Sequence, residues 1–234
     1  MKVAVLGTGM VGQAIAGKLA ELGHEVVVGT RDPEETLART ELDYLGNPPF
    51  PVWKEAHPEV GLSTPAEAAA EAELVVNATN GAASIAMLEA AGEQNLVGKV
   101  LVDVANPLDT SQGLPPSLFV CNTDSLGEQI QRAFPQARVV KALNTMNCEV
   151  MVDPSKVPGE HDVFLCGEDE GAKGQVRELL QSFGWPAERI RDLGSISSAR
   201  GMEMYLPLWI RLWPVLGTGH FNIAVAHAPA SSSL

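Results

Sequence analysis

Cysteine is scarce in this chain: the three that occur, Cys121, Cys148 and Cys166, are odd in number and widely spaced. Such spacing offers neither a disulfide framework nor a CxxC metal site, and a reducing cytoplasm is the expected setting. Basic charge is also short, with 16 Lys and Arg against 29 Asp and Glu and a net charge of −13. A surplus of that sign repels phosphate backbones and anionic lipid, so neither nucleic acid nor a membrane is expected as a partner. Any anion must then be held by local groups. Long apolar runs are missing as well. The most apolar late segment, MYLPLWIRLWPVLG at 204–217, is broken by Pro207, Arg211 and Pro214 and is too short for a membrane span. It reads as a buried or dimer-facing helix. No charged leader or small-residue cleavage pattern precedes the first strand, so export is not expected. His24, His161, His220 and His227 stand at no metal-ligand spacing, and no metal is expected.

What the chain does contain is alternation. Apolar strand-like runs KVAVLG (2–7), EVVVG (25–29), ELVVNAT (73–79), KVLVDVAN (99–106) and ARVVKALN (137–144) are separated by helical patterns such as VGQAIAGKLAELG (11–23). Strands that are apolar on both faces belong between two layers of helices, and right-handed crossovers then give a doubly wound sheet. In the first helix Val11, Ile15, Leu19 and Leu22 recur at helical spacing and should face that sheet, with Gly23 as the stop. The expected fold is α/β, an N-terminal doubly wound parallel sheet of Rossmann type over 1–144 with a small C-terminal α+β domain over 145–234. In the latter, HDVFLCG (161–167) and ERIRDLG (188–194) bracket a helix, a long helical stretch follows from Ser198, and PASSSL closes the chain as a frayed tail. Between 46 and 58, GNPPFPVWKEAHP holds four prolines and is expected to lack regular structure. It is either a lid over a ligand site, with Trp53 and His57 on the rim, or a packed surface loop.

Residues 7–12, GTGMVG, match G-x-G-x-x-G between a strand and a patterned helix. In that context Gly7, Gly9 and Gly12 serve a tight turn, the approach of a diphosphate and helix–strand packing, while Thr8, Met10 and Val11 lend backbone N–H groups at the positive end of the helix. The second strand ends in Thr30-Arg31, where an NAD site would place a carboxylate for the ribose hydroxyls. A guanidinium fork and a hydroxyl suit a 2′-phosphate instead, which predicts NADP. Arg31 as a plain solvated charge, with Asp32 reaching the ribose, is the competing reading; under the NADP reading Asp32 turns away. Further strand ends supply Asn77-Ala78-Thr79, Asn106-Pro107 and Asn144, groups fit for a carboxamide and riboses, although asparagine is also a turn former and cap.

A general acid is the remaining deficit. Lys141 lies three positions before Asn144, in the same strand, and is expected to be structural or an anion contact. Cofactor contacts without an evident acid fit hydride transfer between two redox cofactors, because the acceptor ring stabilises the charge itself. An NADPH-dependent reductase of a small carbonyl or imine, and a non-catalytic NADP-binding sensor, are the alternatives.

GTGMVG, EVVVGTRDP, VVNAT, VDVANPL, VVKALNTM and DVFLCGEDE, in this order, resemble the F420-dependent NADP oxidoreductase family over nearly the whole chain. KALNT is similar, more loosely, to the NADPH–flavin domains of metalloreductases. The resemblance implies NADP at Gly7 to Gly12, Thr30 and Arg31, with Thr79 and Asn106 nearer the nicotinamide. It also implies coenzyme F420 or a related flavin in a cleft against the C-terminal part, and a homodimer; Asn144, at the end of its strand, is a candidate acceptor contact. Archaeal members carry a histidine near the deazaflavin where this chain has Leu143-Asn144-Thr145, and the 46–58 loop is an insertion relative to them.

Overall fold

The computed structural model describes residues 1–42 and 46–228. In chain order the elements are β1 (Lys2–Leu6), α1 (Met10–Glu21), β2 (Glu25–Gly29), α2 (Pro33–Ala38), α3 (Phe50–Ala56), β3 (Gly61–Ser63), α4 (Pro65–Glu71), β4 (Leu74–Asn77), α5 (Ser84–Ala91) and β5 (Val100–Asp103). A short pair, β6 (Leu108–Asp109) and β7 (Ser117–Leu118), precedes α6 (Leu126–Ala133), β8 (Arg138–Ala142), α7 (Cys148–Val152), β9 (Val163–Gly167), α8 (Glu170–Ser182), β10 (Ile190–Asp192), α9 (Ala199–Met204) and α10 (Leu206–Leu216).

One sheet of eight strands runs in the order β10-β9-β8-β5-β4-β1-β2-β3. From β3 to β8 every pairing is parallel, as the two-sided apolar strands require. The chain winds outward from β1 to β2 and β3, then returns to β4 and winds the other way. The strand order therefore reverses between β1 and β4, which is where such sheets bind ligands. Residues after 145 extend the same sheet. β9 joins β8 antiparallel, with Lys141 opposite Cys166, and β10 lies parallel to β9. The core on one face is continuous from Val3 and Leu19 to Val176 and Trp185. Each fully buried Ile, Leu or Val there contributes about 1.5–3 kcal/mol relative to exposure.

Two expectations need correction. In α1, Ile15 and Leu19 are buried against the sheet, but Leu22 is exposed, because the helix ends at Glu21 and the chain reverses at Gly23, φ +82°. The proline-rich segment forms α3, since Pro51 occupies its first turn, where the missing N–H would have had no helical partner anyway. Phe50 is buried, and Trp53 stacks on His57 with centroids 4.3 Å apart, packed over α1 at Gly17. These two side chains are thus a packed surface of α1 rather than the rim of a groove at the strand ends. Met204, Leu208, Trp213, Val215 and Leu216 leave an apolar face of the α9–α10 region exposed. Among the described residues, no helix is long and apolar enough to cross a membrane. The expected fraying at 229–234 lies outside the described residues.

Candidate dinucleotide site

The glycines of the β1–α1 turn divide by what surrounds them. Gly7 has φ +123°, and a Cβ on it would stand 2.5 Å from the Ala78 carbonyl oxygen; a Cβ on Gly12 would collide with the Gly7 carbonyl. Protein packing enforces both. A Cβ on Gly9 would meet no protein atom within 4 Å, so the opening beside it suits a ligand that approaches the backbone closely. Gly9 is also the N-cap of α1, with no side-chain cap and no acid in the first turn. The N–H groups of Met10, Val11 and Gly12 are left for an anion, at the positive end of the helix dipole. Gln13 Nε2 donates to the Thr8 carbonyl (2.9 Å) and steadies the turn.

Beyond β2, the Thr30 side chain is nearly buried, its hydroxyl 3.0 Å from that of Thr36, and its N–H donates to Ser63 O. Arg31 is exposed and makes no ion pair among the described residues. Asp32 caps α2 by accepting from Glu35 N at 2.8 Å, so its carboxylate serves the helix, in keeping with the NADP reading. Arg39, at the end of α2, points back: one Nη is 3.5 Å from Thr8 Oγ1 and the other 3.7 Å from Glu35. Residue spacing did not reveal Arg39, because only the turn of α2 returns it to the glycine loop. A groove of about 610 Å³ runs between Gly7, Gly9, Arg31, Arg39, Ala78 and Thr79. Its uncapped N–H groups and two guanidinium groups fit a diphosphate and a further phosphate.

At the other end the polar groups are closed on each other. Asn77 is wholly buried; its Nδ2 donates to Asp103 Oδ1 (2.8 Å) and Ser84 Oγ (3.0 Å), and its Oδ1 accepts from Thr79 Oγ1 (2.6 Å). The sheet turns this side chain inward, where it orients Thr79. Asn106 Nδ2 donates to the Asn144 carbonyl (2.8 Å) and Asn144 Nδ2 to Asn106 Oδ1 (2.9 Å), a reciprocal pair that ties the end of β5 to the end of β8. Asn144 Oδ1 is buried without a partner among the described residues. Pro107 accepts from Phe119 N, and a Cβ on Gly81 would strike the Asn106 carbonyl, so the two turns lie in close contact. Leu143, just before Asn144, holds the unusual φ of +63°.

Lys141 is fully buried and donates to Asp103 Oδ2 (2.8 Å), Glu203 Oε1 (2.8 Å) and the Ala105 carbonyl. Burial alone pushes its pKa down, yet the two carboxylates outweigh that and hold it above the ordinary lysine value. It cannot serve as an acid to a substrate. The histidines are elsewhere: His161 lies between the Pro154 and Val157 carbonyls and Asn222, and His220 pairs with Glu149. Among the described residues no group of three His, Cys, Asp or Glu side chains could hold a metal.

A reversal of strand order with an uncapped helix opening onto it defines a dinucleotide-binding α/β protein. Residues 2–107 match the family model for NADP oxidoreductase, coenzyme F420-dependent. The F420-dependent NADP reductase of Methanothermobacter marburgensis is 30% identical over 216 residues, 91% of this chain and 92% of that protein. Rat metalloreductase STEAP3 is 29% identical over 89% of this chain, which spans only 38% of that protein's length. A crystal structure of a candidate F420-dependent NADP reductase from Arthrobacter sp. FB24 is 59% identical, with a TM-score of 0.91 over 97% of this chain and all of the other. The chain belongs to the F420-dependent NADP oxidoreductase family and is an NADP-dependent oxidoreductase.

Proposed function

We propose that this protein transfers hydride between NADP(H) and coenzyme F420 in the cytoplasm. The observation that carries the reading is the character of the inner end of the site. Thr79, Asn106 and Asn144 are neutral hydroxyl and amide groups held by protein hydrogen bonds, and Lys141 has all its donors engaged. Such a site orients reactants and excludes water but does not deliver a proton from a side chain. NADPH, when bound, supplies the hydride. F420 as substrate accepts it and delocalises the resulting charge over its own ring, with the balancing proton taken from solvent.

The first-turn N–H groups of α1 hold the diphosphate, and Arg31 with Arg39 frames the 2′-phosphate beside Thr30, whose expected hydroxyl donor is engaged by Thr36. The buried, unpartnered Asn144 Oδ1 is an acceptor suited to a carboxamide or ring N–H, which supports Asn144 as the contact shared by nicotinamide and acceptor. Residues 145–228 complete the acceptor side, and the exposed apolar face of α10 supports a homodimer.

The test is to mix the protein with NADPH and oxidised F420 and follow the loss of F420 absorbance, with FMN, FAD and a panel of carbonyls and imines in parallel. Turnover of F420 is expected. Turnover of a carbonyl or imine alone would replace the reading with a small-molecule reductase, and tight NADPH binding without any turnover would make the protein a sensor.

A further inference from the structure

Lys141 occupies an unusual position for a buried charge. An ammonium has three N–H donors, and here each has one acceptor: Asp103, Glu203 and the Ala105 carbonyl. The acceptors belong to two parts of the molecule, the end of β5 with the turn that follows it, and α9. Asp103 ends β5 and also accepts from Ala105 N (3.2 Å) and from Asn77, which in turn holds Thr79. Ala105 precedes Asn106 in the next turn. Glu203 comes from α9 and accepts from Leu126 N (2.9 Å) and Gly127 N (3.0 Å) at the start of α6. One cation against two carboxylates leaves one negative charge, which faces those N-terminal N–H groups. At the same joint, a Cβ on Gly127 would be 3.1 Å from the Ala199 side chain, so α6 and α9 are pressed together.

If stability were the whole purpose, well-packed apolar groups in place of all three charged side chains together would serve as well or better, since desolvating an ion pair offsets most of its attraction. This cluster instead reaches the backbone of one cofactor turn and the side-chain anchor of the other. We propose that Lys141 is a positioning residue for hydride transfer: it fixes the Ala105–Asn106 turn relative to Thr79, and Glu203 makes that alignment depend on the C-terminal helix α9. The inference rests on the reading above that the nicotinamide end of the cofactor lies at Thr79 and Asn106. The Gly9 and Arg31 end of the groove lies outside the cluster.

The test uses Glu203→Gln and Asp103→Asn, which keep size and remove one charge each, beside Lys141→Met. Three quantities are read: affinity for adenosine 2′,5′-bisphosphate, which probes the outer half of the site; fluorescence of bound NADPH, which reports the nicotinamide environment; and the single-turnover rate of F420 reduction at saturating NADPH. In Glu203→Gln and Asp103→Asn the bisphosphate should bind within about two-fold of wild type, as expected for distant sites. The transfer rate should fall by about 10- to 100-fold, the scale of a small misplacement, and the fluorescence should move toward that of free NADPH. An unchanged rate and fluorescence in both variants, or losses of bisphosphate affinity and rate in equal proportion, would overturn the inference. Should Lys141→Met fail to fold, the two isosteric variants decide. A wild type that binds NADPH but does not reduce F420 would sink the functional reading alone, and the fluorescence arm would still judge the positioning role. A wild type that binds no NADPH would overturn both.

Discussion

The two ends of the groove are built on opposite plans. At the outer end, Arg31 is exposed, the first turn of α1 is uncapped and the space beside Gly9 is open. At the inner end, Asn77, Asp103, Lys141, Glu203 and Asn144 are buried and bonded to their neighbours, and Thr79 and Asn106 stand half-buried at the ends of the strands. Open donors bind by gaining partners from the ligand; closed ones fix geometry. The outer end should therefore govern affinity and the choice of dinucleotide, and the inner end the rate.

Four substitutions or titrations test that contrast. The largest effect should come from Lys141→Met, which strands two buried carboxylates and should cost about 3–5 kcal/mol of stability in urea unfolding, the range for breaking a buried pair from one side. At the outer end, Gly9→Ala should change stability by no more than about 1 kcal/mol, since no protein atom awaits the new methyl. Isothermal titration should nonetheless show NADPH weakened by about 1–3 kcal/mol, as for a methyl forced into a packed contact. Arg39→Ala should weaken NADPH less, by about 0.3–1 kcal/mol, because its guanidinium is half-exposed. A pH titration concerns Cys166, whose thiol is pushed up to about 12 by burial first of all. The fold keeps that proton where an unfolded thiol, ordinarily near 9.0, releases it. Stability should thus hold below about pH 9 and decline between about 9 and 12. A thiol reagent should modify exposed Cys121 first and Cys166 only on unfolding.

The outer end was legible in the sequence because its signals are local. A strand, three glycines and an amphipathic helix follow one another, and Thr30-Arg31 ends the next strand. Arg39 escaped notice because α2 carries it back over the loop. The inner end depends on partners far apart in the chain: nothing near Lys141 announces Glu203, and nothing in VVNAT shows that Asn77 faces inward while Thr79 remains at the groove. The α3 helix was hidden by its prolines, which are tolerated only because one falls in the first turn. The alternation of strands and helices foretold the parallel part of the sheet. The antiparallel β9 follows because the chain between β8 and β9 returns along the same edge instead of crossing over.

The division of labour is tested most directly by the ratio of NADPH to NADH affinity in the wild type and in Arg31→Ala. The account predicts a strong wild-type preference for NADPH. The variant should lose about 1.5–3 kcal/mol of NADPH affinity, the range for a charged hydrogen bond, with NADH binding and the melting temperature nearly unchanged. Equal losses for the two dinucleotides would contradict it.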